Sequence, residues 1–120
     1  MPSRNRIYIH RRRAFEQQGG RCYYCGVRMW LTTPDEISSD PRRRPALEKL
    51  RCTAEHLVAQ CEGGGHTAQN IVAACAHCNQ TRHKLRRPPE PLAYRKHVGR
   101  RVARHAWHQR WVYDLGLTAA

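Results

Sequence analysis

Cys22-Tyr23-Tyr24-Cys25 and Cys75-Ala76-His77-Cys78 decide the fold, because each places two thiols two residues apart and some fifty residues of chain lie between the pairs. Two thiolates at that spacing bind one ion at about 2.3 Å, and a second pair completes the tetrahedral shell that structural zinc prefers. Four thiolates leave no open coordination position, so the pairing predicts a structural staple and says little about catalysis. A disulfide scaffold is the competing reading of six cysteines, and it needs an oxidising compartment. Met1-Pro2-Ser3-Arg4 opens a polar, arginine-rich segment with no apolar stretch to serve as an export signal. The expectation is therefore a cytoplasmic protein with Zn²⁺ on Cys22, Cys25, Cys75 and Cys78.

At 120 residues the chain is long enough for one domain, residues 1–120, with a modest core, so a metal that ties distant segments together would supply much of the stability. Its 22 Lys and Arg against 9 Asp and Glu give a formal charge of +13. That is the footprint of a nucleic-acid binder, since so large a net charge costs self-repulsion in the compact state unless a polyanion is bound. No apolar run approaches the roughly 20 residues needed to cross a bilayer. A membrane role is not expected.

Reading outward from the cysteines, Ile7 to Gln18 has the pattern of a short basic helix ended by Gly19-Gly20. Val27 to Leu31 has the look of a short strand. The proline-, serine- and charge-rich stretch at about 32–46 reads as an inserted loop. Arg51 to Val58 and Asn70 to Ala74 read as two strands of a hairpin across the glycine-rich break Glu62-Gly63-Gly64-Gly65. Ala76 to Arg86 is helix-compatible up to the stop at Pro88-Pro89, which gives a β-β-α order with the second cysteine pair at the helix start. Pro91 to Leu115 reads as one long basic helix. Tyr94, Val98, Val102, Trp107, Trp111 and Leu115 would face the core, and Arg95, Lys96, Arg100, Arg101, Arg104 and Arg110 another surface.

The run Cys22-x-x-Cys25-Gly26, Glu55-His56-Leu57-Val58, Gly63-Gly64, Asn70-Ile71-Val72 and Cys75-x-x-Cys78-Asn79 closely resembles the HNH endonuclease family over about residues 20–86. The resemblance implies an α+β fold: a small ββα-metal, treble-clef-like core stapled by a four-cysteine zinc site, with flanking N- and C-terminal helices. It further implies cleavage of phosphodiester bonds with a divalent ion. His56 would be the general base, Glu55 and Asn79 ligands of the catalytic ion, and Asn70 the brace of the hairpin loop that orients His56. Glu55 stands where the family more often has Asp or His. His83, one helical turn beyond Asn79, resembles the additional ligand of the bacteriocin-nuclease branch.

The residue types suit that chemistry on their own account. Imidazole, with an unperturbed pKa of about 6.5, can take a proton from water at neutral pH. A carboxylate and an amide oxygen are hard ligands for Mg²⁺ or Mn²⁺, and an added imidazole shifts preference toward Mn²⁺, Ni²⁺ or Zn²⁺. Arg82, Lys84, Arg100, Arg101 and Arg104 would contact the phosphates of double-stranded DNA. The alternative is a non-catalytic, zinc-stapled module that binds DNA or RNA. Other residues carry plainer expectations: Cys52 and Cys61 as ordinary thiols, His77 pointing outward, His66 solvated or on a phosphate, His97, His105 and His108 on the surface, and Trp107 and Trp111 as core anchors.

Overall fold

In the computed structural model, residues 2–59 and 62–118 are described, with side chains from Ile7 onward. Helix α1 (Pro2–Gln17) packs against a two-stranded antiparallel sheet of β1 (Cys52–His56) and β2 (Ile71–Cys75), and β2 runs directly into α3 (Ala76–Lys84). The register pairs Cys52 with Cys75 and His56 with Ile71. The β-β-α order expected from the sequence is what forms.

Helix α1 begins earlier than its apolar pattern indicated and ends where expected. Gly19 (φ 63°) and Gly20 (φ 75°) take the left-handed conformation, and the Gly20 amide returns to the Phe15 carbonyl at 2.9 Å. This is the glycine-terminated C-cap that satisfies the last helical carbonyls. The chain then enters the first cysteine knuckle, in which Gly26 (φ 73°) closes the turn and the Cys22 amide donates to the Val27 carbonyl at 2.9 Å. Gln18 covers the outer edge of β2, donating to the Ala73 carbonyl at 2.8 Å and accepting from the Ala73 amide at 2.9 Å. The open edge of a two-stranded sheet is thereby occupied.

Three expectations need correction. The expected strand at Val27–Leu31 is reduced to isolated bridges, Arg21 with Arg28 and Trp30 with Arg51. The proline-rich insertion is not a plain loop. It forms 3-10 turns at Pro34–Glu36 and Pro41–Arg43, then α2 (Arg44–Leu47) and a further 3-10 turn at Glu48–Leu50. Local capping explains this: Thr33 and Asp40 accept backbone amides ahead of prolines, and the Glu36 carboxylate takes the amides of Leu31, Thr32 and Thr33, each at 2.9 Å. Leu47 and Leu50 are fully buried and anchor the insertion to the core.

The third correction concerns the C-terminal helix, which is broken into α4 (Pro91–Ala103) and α5 (Arg110–Asp114), with His105 in the left-handed region (φ 54°) between them. A continuous helix over 91–115 would be about 37 Å long at 1.5 Å per residue, nearly the 40 Å long axis of the molecule. The break folds the chain end back onto the cysteine cluster. Tyr94 and Val98 are buried as expected, and Val102, Trp107 and Trp111 pack against the core. Leu115 is 49 % exposed, and Val112 and Leu117 are buried in its stead. Among the described residues no helix is long and apolar enough to cross a membrane.

Candidate metal centre and catalytic face

Strand β2 delivers Cys75 and the first turn of α3 delivers Cys78, while the knuckle after α1 brings Cys22 and Cys25 from the other side. All four side chains are buried and their sulfurs lie within 4.8 Å of one another. Cys25 Sγ and Cys75 Sγ are 3.8 Å apart, matching the edge of about 3.8 Å that tetrahedral Zn–S bonds of about 2.3 Å require. The donor set fits structural zinc. Among the described residues it is the only group of three or more His, Cys, Asp or Glu side chains so placed.

The sulfurs are also hydrogen-bonded from outside, as the ligands of such centres usually are. The Tyr24 and Cys75 amides donate to Cys22 Sγ at 3.4 and 3.3 Å, and the Cys78 amide to Cys75 Sγ at 3.4 Å. Trp107 Nε1 donates to Cys78 Sγ at 3.2 Å, and His108 Nε2 lies 3.2 Å from Cys25 Sγ. Burial, then the neighbouring His77, pushes the His108 pKa down to about 4. At neutral pH His108 is uncharged, and its Nε2–H is the group that can face the sulfur. The surface placement expected of His108 is overturned, and Trp107 is more than a core anchor. His77 does not point outward, since its Nε2 meets the Trp107 carbonyl at 3.1 Å. Cys52 is a buried thiol outside the cluster whose pKa burial pushes up to about 11. Cys61 lies outside the described residues.

The opposite face of the hairpin carries a different arrangement. Thr53 and Glu55 alternate onto the side of β1 that meets α3, where Asn79 reaches Thr53 and His83 reaches Glu55. Two strand residues advance about 6.7 Å and four helical residues about 6 Å, so the two periods stay in step across this contact. Glu55 is 2 % exposed and hydrogen-bonded on both oxygens. Oε2 accepts from Tyr24 Oη at 3.0 Å and pairs with Arg82 at 3.1 Å, while Oε1 lies 2.9 Å from His83 Nε2. Burial and the Glu55 charge raise the Tyr24 phenol pKa well above its ordinary value, so the hydroxyl remains a donor.

Arg82 was expected on phosphate. It is 6 % exposed, donates to the Pro89 carbonyl at 3.0 Å, and balances the buried Glu55 charge. A carboxylate this deeply buried requires such a partner, which removes Arg82 from the nucleic-acid surface. Lys84, Arg100 and Arg104 are exposed. Arg101 is half-buried, donating to the Ala106 carbonyl at 2.9 Å with its guanidinium 6.0 Å from the Trp107 ring centroid. Asn79 Nδ2 donates to Thr53 Oγ1 at 3.0 Å and the Ala54 carbonyl at 3.3 Å.

His56 ends β1, half-buried. Its pKa is lowered by burial and by the nearby His66, with His83 adding to the effect and Glu55 opposing it. The ring is therefore neutral at pH 7 and able to accept a proton. Asn70 closes the loop behind it: Oδ1 accepts from the Val58 amide at 2.8 Å, and Nδ2 donates to the Val58 and Gly65 carbonyls, both at 3.0 Å. Gly64 is required there, since a Cβ would fall 1.8 Å from the Val58 carbonyl oxygen. Tyr24 is a neighbour of these groups that sequence reasoning passed over, and His66, Trp107 and His108 are neighbours to which it gave plainer roles. Tyr24 at least had a signal, as an aromatic inside a knuckle that must lie next to the metal-bearing hairpin.

Residues 43–85 match the family model of the HNH endonuclease. The match covers the hairpin, Glu55, His56, Asn70, Cys75, Cys78, Asn79 and His83, and leaves out the Cys22–Cys25 knuckle. No curated protein and no solved structure matches the chain. The HNH resemblance is borne out over this segment, and the four-cysteine cluster and ββα order agree with it.

Proposed function

We propose that this HNH-family chain is a metal-dependent endonuclease that hydrolyses phosphodiester bonds of double-stranded DNA. The observation that carries the reading is the pair Glu55 Oε1 and His83 Nε2, 2.9 Å apart beside a neutral His56. Adjacent ligands of an octahedral ion with bonds of about 2.1 Å stand about 3 Å apart, so the pair fits two ligand positions. Asn79 would offer its Oδ1 as a third ligand, because Nδ2 is already committed to the strand. Mg²⁺ or Mn²⁺ would suit this mixed set, with Ni²⁺ as a further option. When bound, the ion supplies positive charge to the phosphate oxygens and the leaving 3′ oxygen.

The protein's own part can be stated residue by residue. Arg82 and Tyr24 hold Oε2, so Glu55 presents Oε1. His56 would take a proton from the attacking water as its oxygen bonds to phosphorus; the P–O3′ bond breaks, the phosphate stays on the 5′ end, and the leaving 3′ oxygen takes a proton from solvent to become a hydroxyl. Lys84, Arg100 and Arg104, exposed and basic, would track the backbone, each neutralised phosphate adding roughly 0.9 to the salt dependence of binding.

The complete engagement of Glu55 by Tyr24, Arg82 and His83 favours one other reading, in which this network is structural and the chain is a zinc-stapled binding module. Supercoiled plasmid distinguishes them. With Mg²⁺ or Mn²⁺ the parent should nick, and His56→Ala should lose about 10²–10⁴ in rate while keeping DNA affinity and zinc content. A His56→Ala protein as fast as its parent would make the binding module the better reading.

A further inference from the structure

His66 sits in the loop between the strands, ten residues beyond His56, and has no part in the reaction as described so far. Its Nδ1 lies 2.9 Å from His56 Nε2, with ring centroids 5.0 Å apart and planes tilted by 54°. That is the separation of an N–H···N hydrogen bond, in which one ring nitrogen must carry the proton and the other must accept it.

We propose that His66 is the positioning residue of His56: it accepts the His56 Nε2–H, fixes the ring's orientation and leaves the His56 lone pair on Nδ1, the atom that takes the proton from water. The proposal rests on the nuclease reading and adds a residue to it. No described residue hydrogen-bonds His56 Nδ1, so that nitrogen is the one available to a water, and among the described residues Nε2 meets His66. A half-buried imidazole with one such bond has its ring rotation set by that bond, since the terminal torsion is otherwise broad and two-fold.

The placement of His66 is built by the loop. Asn70 Nδ2 holds the carbonyl of Gly65, the residue before His66, at 3.0 Å, and the same amide group clamps Val58 through both its backbone groups. The Gly64 amide returns to the Ala59 carbonyl at 2.9 Å, and Gly64 leaves no room for a side chain against Val58. The brace expected of Asn70 thus reaches His56 through His66. Orientation of a base by a second hydrogen-bonded group is a recurrent requirement of general-base catalysis, because a small misplacement at the reacting atoms is expensive in rate.

The substitutions that test this differ in one atom's worth of chemistry. Asn places Oδ1 where His carries Nδ1 and preserves the acceptor, whereas Leu fills space without one. Under single-turnover conditions with saturating Mn²⁺, His66→Leu and His66→Ala should cut plasmid about 10–100-fold more slowly with unchanged DNA affinity, and His66→Asn should recover most of that loss. In the parent, nitrogen-15 spectra should show a scalar coupling across the hydrogen bond between His56 Nε2 and His66 Nδ1. Leu or Ala variants as fast as the parent, an Asn variant as slow as Leu, or a parent lacking the coupling would each overturn the assignment. A parent that cuts nothing with Mg²⁺ or Mn²⁺ overturns the nuclease reading instead, and the role in the reaction with it.

Discussion

Cys78 and Asn79 are neighbours on α3, yet one belongs to a sealed cluster of sulfurs and the other to the more open side that carries the proposed nuclease site. On the Cys78 side four sulfurs converge, all buried, and even their outer lone pairs are met by backbone amides, an indole and an imidazole. On the Asn79 side one buried carboxylate holds a single histidine, His83, while His56 and His66 bond each other beside it. The lesson is about closure: a metal centre with every position filled by protein can only hold the fold, whereas catalysis needs a position for water or substrate. One short helix serves both because its first turn faces the cysteines and its later turns face β1.

The sharpest way to break the contrast is to open the sealed side. Cys75→Ser should remove zinc and unfold most of the domain, since the binding energy of such a site, on the order of 10 kcal/mol, is folding energy. Metal analysis and circular dichroism on the purified variant decide it. A Cys75→Ser protein that keeps both metal and fold would mean the cluster is not the staple.

A smaller effect probes the other side. Arg82→Met leaves Glu55 buried without its cation and should cost about 3–5 kcal/mol in urea denaturation of the zinc-loaded protein. Adding Glu55→Leu should return much of that loss, because removing both charges removes the desolvation cost as well. If Arg82→Met alone is neutral, Glu55 reaches solvent more freely than its 2 % exposure implies, and the contrast between the two sides is smaller.

How much of this was legible in the sequence follows from which signals are local. The cysteine spacing and the hairpin with its glycine break are fixed within short stretches, and the structure assembles these as read, with Glu55, His56, Asn70 and Asn79 on or beside that hairpin. Arg82 was misjudged because an arginine on a basic helix looks like a phosphate contact, and only the tertiary fold shows a buried carboxylate opposite it. The break in the C-terminal helix left no glycine or proline to announce it. His105 adopts φ 54°, closed by an Ala106 amide bond to the Arg101 carbonyl at 2.8 Å, and the compensation lies far away in sequence, at the cysteines. Long-range partners are what a periodicity argument cannot see.

That break leads to the smallest effect expected, and the one that refines the comparison most. Trp107 and His108 reach the sulfurs from a segment outside the family match, so they separate what the zinc centre needs to form from what seals it. Trp107→Phe keeps an aromatic ring against Tyr94 and His77 and removes one N–H donor. A single hydrogen bond contributes about 0.5–1.5 kcal/mol, so zinc loss to a competing chelator should rise by about 2- to 10-fold. The folded content should stay near that of the parent. His108→Ala should act in the same direction, and the two should be nearly additive if each donor serves its own sulfur, Cys78 for one and Cys25 for the other. Unchanged chelator kinetics in the double variant would show that the C-terminal segment merely packs beside the centre, and that the cysteines and their backbone amides seal it unaided.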